Sequence, residues 1–139
     1  METYKTLFGD IQVDPETVIT FPSGVPGLPD CKRYKLLHED KPNPQVMWLQ
    51  SLDDAAVCFS VVEAERLGLN YQVTLSDEEC AEIDLQSSDE AQLLLVLARH
   101  DEREPNIVAN TQAPFVLNVR SRKALQKIGV RADIVFRNV

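Results

Sequence analysis

Cysteine, histidine and adjacent carboxylates are the side chains of this chain that could make or break bonds, and their spacing argues against most such chemistry. Cys31, Cys58 and Cys80 are an odd number with no C-x-x-C spacing. That disfavours a disulfide framework or a structural zinc site and points to a reducing, cytoplasmic compartment. Cys58 lies inside the apolar run Ala56–Val62 and reads as a buried, inert thiol. Cys31 precedes Lys32 and Arg33, whose charge favours a thiolate, so it is the candidate reactive cysteine, although no base adjoins it. His38 and His100 each stand without further ligands at metal-binding spacing. Gly24-x-x-Gly27 lacks the lysine and the following helix of a phosphate loop. Asp53-Asp54 are paired acids on a strand-to-strand turn, where neighbouring carboxylates diverge toward solvent instead of sharing a proton. The expectation is a protein that is not an enzyme and has no metal or cofactor. The alternative, a small-ligand or redox enzyme on a β-barrel, would use Cys31 or Asp53-Asp54.

The segment Ile19–Leu37, ITFPSGVPGLPDCKRYKLL, points instead to shape. It holds Pro22, Pro26 and Pro29, which fix φ and remove backbone donors, and Gly24 and Gly27, which permit left-handed backbone. So many restraints within an apolar stretch predict a rigid, shaped loop between two strands.

The elements that must carry this loop are short strands. Tyr4–Phe8 and Ile11–Val13 around Gly9-Asp10 predict an opening hairpin. Further strands are expected at Val18–Phe21, Arg33–His38, Val46–Gln50, Ala56–Val62, Tyr71–Leu75, Leu93–Ala98, Ile107–Ala109, Pro114–Val119 and Ile134–Phe136. Trp48 is expected in the core, because VMWLQ alternates like a half-buried strand. One helix has clear signals: Ser76-Asp77-Glu78-Glu79 is a capping box, with acids at the positive end of the helix dipole and an expected end near Asp84. A helical turn is also predicted over Arg122–Ile128. Strands at regular spacing, without βαβ alternation, predict a mainly β fold: an antiparallel β-barrel or barrel-like sandwich with one short helix. A length of 139 residues suits a single domain, 1–139, and the longest apolar run, Leu93–Ala98, is far too short to cross a membrane.

Charge is unevenly spread over a net of −8. Residues 53–104 carry fourteen acids and three bases, whereas residues 105–139 carry one acid and six bases. The acidic middle repels a phosphate backbone, which disfavours direct nucleic-acid binding, and would steer a basic protein partner.

Four blocks follow one another along the chain: Phe8-Gly9-Asp10-Ile11-Gln12-Val13, the proline-rich run Ile19–Leu37, Trp48-Leu49-Gln50-Ser51-Leu52-Asp53-Asp54, and Asn106–Asn110 with Ala113–Asn118. In this order they resemble the flagellar assembly factor FliW family. The resemblance implies a non-enzymatic, β-rich cytoplasmic regulator. By that resemblance it would bind the RNA-binding carbon storage regulator CsrA and antagonise its translational repression of flagellin, and several members of the family also bind flagellin. A flagellin chaperone that does not bind CsrA is the alternative within the same family.

Partner contacts are expected at Asp53 and Asp54, which fall in a family block. Glu63, Glu65, Asp77, Glu78 and Glu82 are added on charge, and Pro22, Val25, Pro26 and Leu28 as the shaped loop. Val25 and Leu28 are the apolar residues expected to be exposed for docking a flagellin helix.

Overall fold

The structure, a computed structural model, describes residues 1–40, 42, 46–67, 69–70, 73–99, 107–128 and 135–136. Its strands are β1 (Glu2–Thr6), β2 (Gly9–Val13), β3 (Ile19–Thr20), β4 (Arg33–His38), β5 (Met47–Ser51), β6 (Cys58–Glu63), β7 (Leu69–Asn70), β8 (Ala91–Arg99), β9 (Ile107–Asn118), β10 (Lys123–Gln126) and β11 (Val135–Phe136). The helix α1 spans Asp77–Glu82, and short 3-10 turns cover Pro15–Thr17, Ala64–Leu67 and Ser88–Glu90. Seven strands close a barrel in the order β10-β3-β4-β5-β6-β8-β9. Every pairing in it is antiparallel except the seam, where β10 runs parallel to β3 through the single pair Lys123↔Thr20. The mainly β barrel expected from the sequence is therefore present, with one parallel closure that strand patterning does not reveal.

Alternation along the strands sorts side chains to two faces. Leu36, Leu49 and Phe59 stand opposite one another across β4, β5 and β6 and face the interior. On β8, Leu94 belongs to the interior, whereas Leu93 and Leu95 join two smaller apolar clusters outside the barrel. The interior is filled by aromatic rings. Phe21 meets Tyr34 at 5.0 Å and Phe115 at 5.4 Å, both edge-on, and Phe59 meets Phe115 at 5.4 Å.

Several expectations need correction. The hairpin turns at Leu7-Phe8, not Gly9-Asp10: Thr6 pairs with Gly9, which takes φ +89°, and the Thr6 hydroxyl donates to the Gly9 carbonyl. Trp48 is half-buried on the outer face of β5, with Phe8 of the hairpin tip 5.4 Å away; Met47 and Leu49 on either side are the buried residues. Ile107–Ala109 and Pro114–Val119 merge into one strand, β9. The pairing jumps from Leu94↔Phe115 to Val96↔Asn110, so Pro114 sits in the irregular stretch where its missing N–H breaks no ladder. The predicted helical turn near Arg122 is strand β10, because pairing with β9 outweighs local propensity. Val73–Leu75 is not a strand. Tyr71, Gln72, His100 and Asn106 lie outside the described residues.

Tyr34 is fully buried, and its hydroxyl has no hydrogen-bond partner among the described residues. Burial most of all, and then the nearby Cys31 and Asp53, push the phenol's pKa upward. Removing an unsatisfied buried hydroxyl recovers its desolvation penalty. Tyr34→Phe is therefore expected to leave stability unchanged or raise it by up to about 1 kcal/mol. A urea titration that instead shows a loss of that size would place a bound partner on this hydroxyl.

Candidate functional site

The proline loop is a chain of consecutive turns. Phe21 N–H donates to Lys32 O (2.7 Å), Gly24 N–H to Phe21 O (2.9 Å), Leu28 N–H to Val25 O (2.7 Å) and Cys31 N–H to Leu28 O (3.1 Å). Gly24 takes φ +72°, and a Cβ there would stand 2.7 Å from Pro29 O and 2.8 Å from Pro29 Cα. Only glycine meets both demands, so Gly24 lets the loop fold back on itself. Asp53 fastens the loop's far end. Its carboxylate accepts from Lys32 N–H (3.0 Å), Arg33 N–H (2.9 Å), Arg33 Nε (3.0 Å) and Arg33 Nη2 (2.8 Å).

Helix α1 is six residues long and could not stand alone. At its start Ser76 and Glu79 form the reciprocal capping box. At its end the buried Asn118 amide donates to Ile83 O and Asp84 O, each at 3.0 Å, while Asp84 takes φ +55°. Lys127 pairs with Glu79 at 2.6 Å, and the Ser23 hydroxyl donates to Glu82. These ties set α1 beside the proline loop and leave a cleft of about 260 Å³ between them. The cleft is walled by Ser23, Val25, Pro26, Pro29, Glu79, Glu82 and Leu125.

The structure thus brings Val25, Pro26 and Glu82 together and sets Asp77 and Glu78 in the first turn of α1. Both are exposed, and neither has an ion-pair partner among the described residues. Pro22 is half-buried where the loop leaves the core. Asp54 is exposed and accepts from Ala56 N–H within its own turn. Glu63 and Glu65 stand elsewhere, at the end of β6 and in the 3-10 turn after it.

Three expectations change. Val25 is only 4% exposed and belongs to the barrel core, and Leu28 is half-buried against it, because the loop turns its apolar side inward to cap the barrel. They are not an exposed apolar docking patch. Cys31 is 7% exposed within the same core, so it is not the accessible thiol its basic neighbours suggested. Cys58, expected to be a buried thiol, is half-buried, with burial raising its pKa. Asp53 and Asp54 do not cooperate as an acid–base pair, since Asp53 is occupied by four donors. Ser23, Glu79, Lys127 and Asn118 were missed by sequence reasoning. Glu79 was visible only as a cap, and nothing local marks Asn118 as the residue that anchors a helix 34 positions earlier.

Among the described residues no group of three or more His, Cys, Asp or Glu side chains could hold a metal ion, and no helix is long and apolar enough to cross a membrane.

A closed barrel with a filled interior, a shaped external loop and a carboxylate-bearing helix against it defines a β-barrel whose candidate site is an outer surface. Residues 2–138 match the family model described as FliW protein. A Chromobacterium violaceum protein named flagellar assembly factor FliW is 41% identical over 136 residues, covering 92% of each chain. An Azoarcus sp. protein of the same name is 41% identical over 143 residues, covering 99% of this chain and 98% of that one. A solved structure titled "Crystal structure of the flagellar assembly factor FliW" superposes with a TM-score of 0.83 at 24% identity, over 99% of this chain and 95% of that one, and shares the fold. The chain belongs to the FliW family of flagellar assembly factors.

Two outcomes follow from this geometry. Gly24→Ala meets both a positive φ and the Pro29 backbone, and should cost about 2–3 kcal/mol. Gly27 has φ +84° but nothing within 4 Å of a built Cβ, so Gly27→Ala should cost about 1 kcal/mol; the two urea midpoints separate these contributions.

Three carboxylates are held below their usual range. For Asp53, burial opposes ionisation, but hydrogen bonds from Arg33 and Lys32 outweigh it. Lys127 lowers Glu79, and Arg120 lowers Glu90. Such groups stabilise the fold above their unfolded pKa, and the contribution is lost as pH falls through the folded value. On the acid side, stability should be level from neutrality down to about pH 5 and drop below about pH 4. In Asp53→Asn/Glu79→Gln the acid limb should be shallower when urea midpoints are followed against pH.

Proposed function

We propose that this chain acts in the cytoplasm as a non-catalytic, protein-binding regulator of flagellar assembly. In this reading it binds the carbon storage regulator CsrA, antagonises its repression of flagellin translation, and also binds flagellin. The observation that carries the reading is the pair Asp77 and Glu78, exposed at the start of α1 with no cation opposite them among the described residues. They directly precede Glu79, which with Glu82 lines a cleft whose other wall is held by Gly24 and Asp53. Uncompensated carboxylates beside a preorganised loop suit an RNA-binding protein, whose surface is basic, and repel nucleic acid itself. Family membership supports the flagellar context.

The second reading, flagellin binding without CsrA, is favoured by the name that the relatives carry, which specifies flagellar assembly and no regulator. With Val25 buried, flagellin would have to engage another face than the proline loop's apolar side.

Calorimetric titration with the cognate CsrA at low and physiological salt distinguishes the two. The expected result is binding that weakens as salt rises, and a loss of about tenfold in affinity for Asp77→Lys/Glu78→Lys, mainly through slower association. No heat at either salt, from a regulator still competent for RNA, removes CsrA and leaves flagellin alone. Salt-sensitive binding that survives the double reversal moves the contact away from α1.

A further inference from the structure

On the other side of α1 lies a larger depression. Glu79 and Glu82 line the cleft described above, whereas Cys80 faces a trough of about 560 Å³ that also includes Val73, Leu75, Leu85, Ala91 and Leu93. Through Ala91 and Leu93 the trough runs on into a second recess of about 340 Å³. There the lining changes character: Glu63, Glu65 and Asp89 stand around it, and the apolar Val119 is 45% exposed. Glu65 and Asp89 are exposed and have no cation partner among the described residues, because the nearby Arg120 is taken up by Glu90 and Asp84.

We propose that this two-part trough is a docking site for a short amphipathic segment of a partner protein, apolar where it enters beside Leu75 and Leu85 and cationic where it reaches Glu65 and Asp89. The apolar part provides the burial, and the acids at one end set direction and exclude acidic segments. Its volume is within the range of about 300–1,000 Å³ typical of ligand sites. Polar groups also line the trough, Thr74, Gln86, Ser87 and Ser88, but the uncompensated Glu65 and Asp89 at its far end favour a cationic segment over a small neutral molecule. The chain's own acidity weighs against a second copy as occupant, since a net charge of −8 makes approach of like surfaces unfavourable. The trough is separate from the cleft assigned to the regulator, so this inference does not depend on CsrA being the partner.

Cys80 makes the site observable, because an occupant must cover its half-buried thiol, while Cys58 on β6 is the internal reference. The probe is a fluorescent 14-residue synthetic peptide with leucines on one helical face and lysines in its C-terminal half, next to the same peptide with glutamates for lysines. Both are titrated into the full chain by anisotropy, and maleimide labelling of Cys80 and Cys58 is followed by mass spectrometry. The lysine peptide should bind and slow labelling of Cys80 but not of Cys58, and the glutamate peptide should not bind. Glu65→Lys/Asp89→Lys, both at exposed positions, should weaken the lysine peptide about tenfold. Absence of binding, binding that leaves Cys80 labelling unchanged, or equal affinity for the charge-reversed chain each overturns the proposal. Concentration-dependent protection of Cys80 without peptide, matched by sedimentation as a dimer, assigns the trough to a second copy and overturns it equally. Neither Asp77 nor Glu78 lines the trough, and neither Glu65 nor Asp89 lies on α1, so a failure of the regulator reading and a failure of this one give different patterns across the two double variants.

Discussion

A closed barrel of seven strands has to fill its own interior, and here Phe21, Tyr34, Phe59 and Phe115 do so with edge-to-face contacts. Phe21 links that interior to the surface. Its ring is fully buried, its N–H bonds to Lys32 O, and its carbonyl accepts from Gly24. The proline loop therefore begins and ends on the residue that plugs the barrel, and Val25 and Leu28 fold in behind it. With the interior occupied by side chains, recognition moves to the outside, where the loop, α1 and the outer face of β8 make the concave features.

The carboxylates of the acidic middle divide into two physical groups. Asp53, Glu79 and Glu90 accept hydrogen bonds from backbone N–H groups and face Arg33, Lys127 and Arg120. They hold loop, helix and strand turns in place, and their charge is largely spent inside the protein. Asp77, Glu78, Glu65 and Asp89 are exposed and project charge outward, where salt screens it and a basic surface can find it. A net charge averages over both groups and so says little about which acids face a partner.

Helix α1 shows how a short element becomes rigid. Six residues carry too few hydrogen bonds to persist in isolation, so the helix depends on what it is tied to: Ser76 and Glu79 at one end, Asn118 at the other, Lys127 and Ser23 along its side. Because it walls both the cleft and the trough, its position governs two surfaces at once.

The sequence by itself determined whatever depends on neighbours along the chain. The capping box at Ser76, the β4 run Arg33–His38 and the left-handed Gly24 and Gly27 are local preferences of backbone and side chain, and each appears as read. The β-barrel class followed from strand spacing, and the family from blocks in order. Tertiary structure decided what depends on residues distant in sequence. Asp53 became an anchor for the loop instead of an outward acid because Lys32 and Arg33 present donors to it from 21 and 20 residues away. Val25 and Cys31 were drawn inward because the loop caps the barrel, and Trp48 stands on the outer face because Met47 and Leu49 beside it point inward, where the hairpin tip then covers it. The stretch around Lys123 became a strand because β9 and β3 offered it pairing. Periodicity records which side of an element is apolar, but burial depends on what the rest of the chain lays against that side.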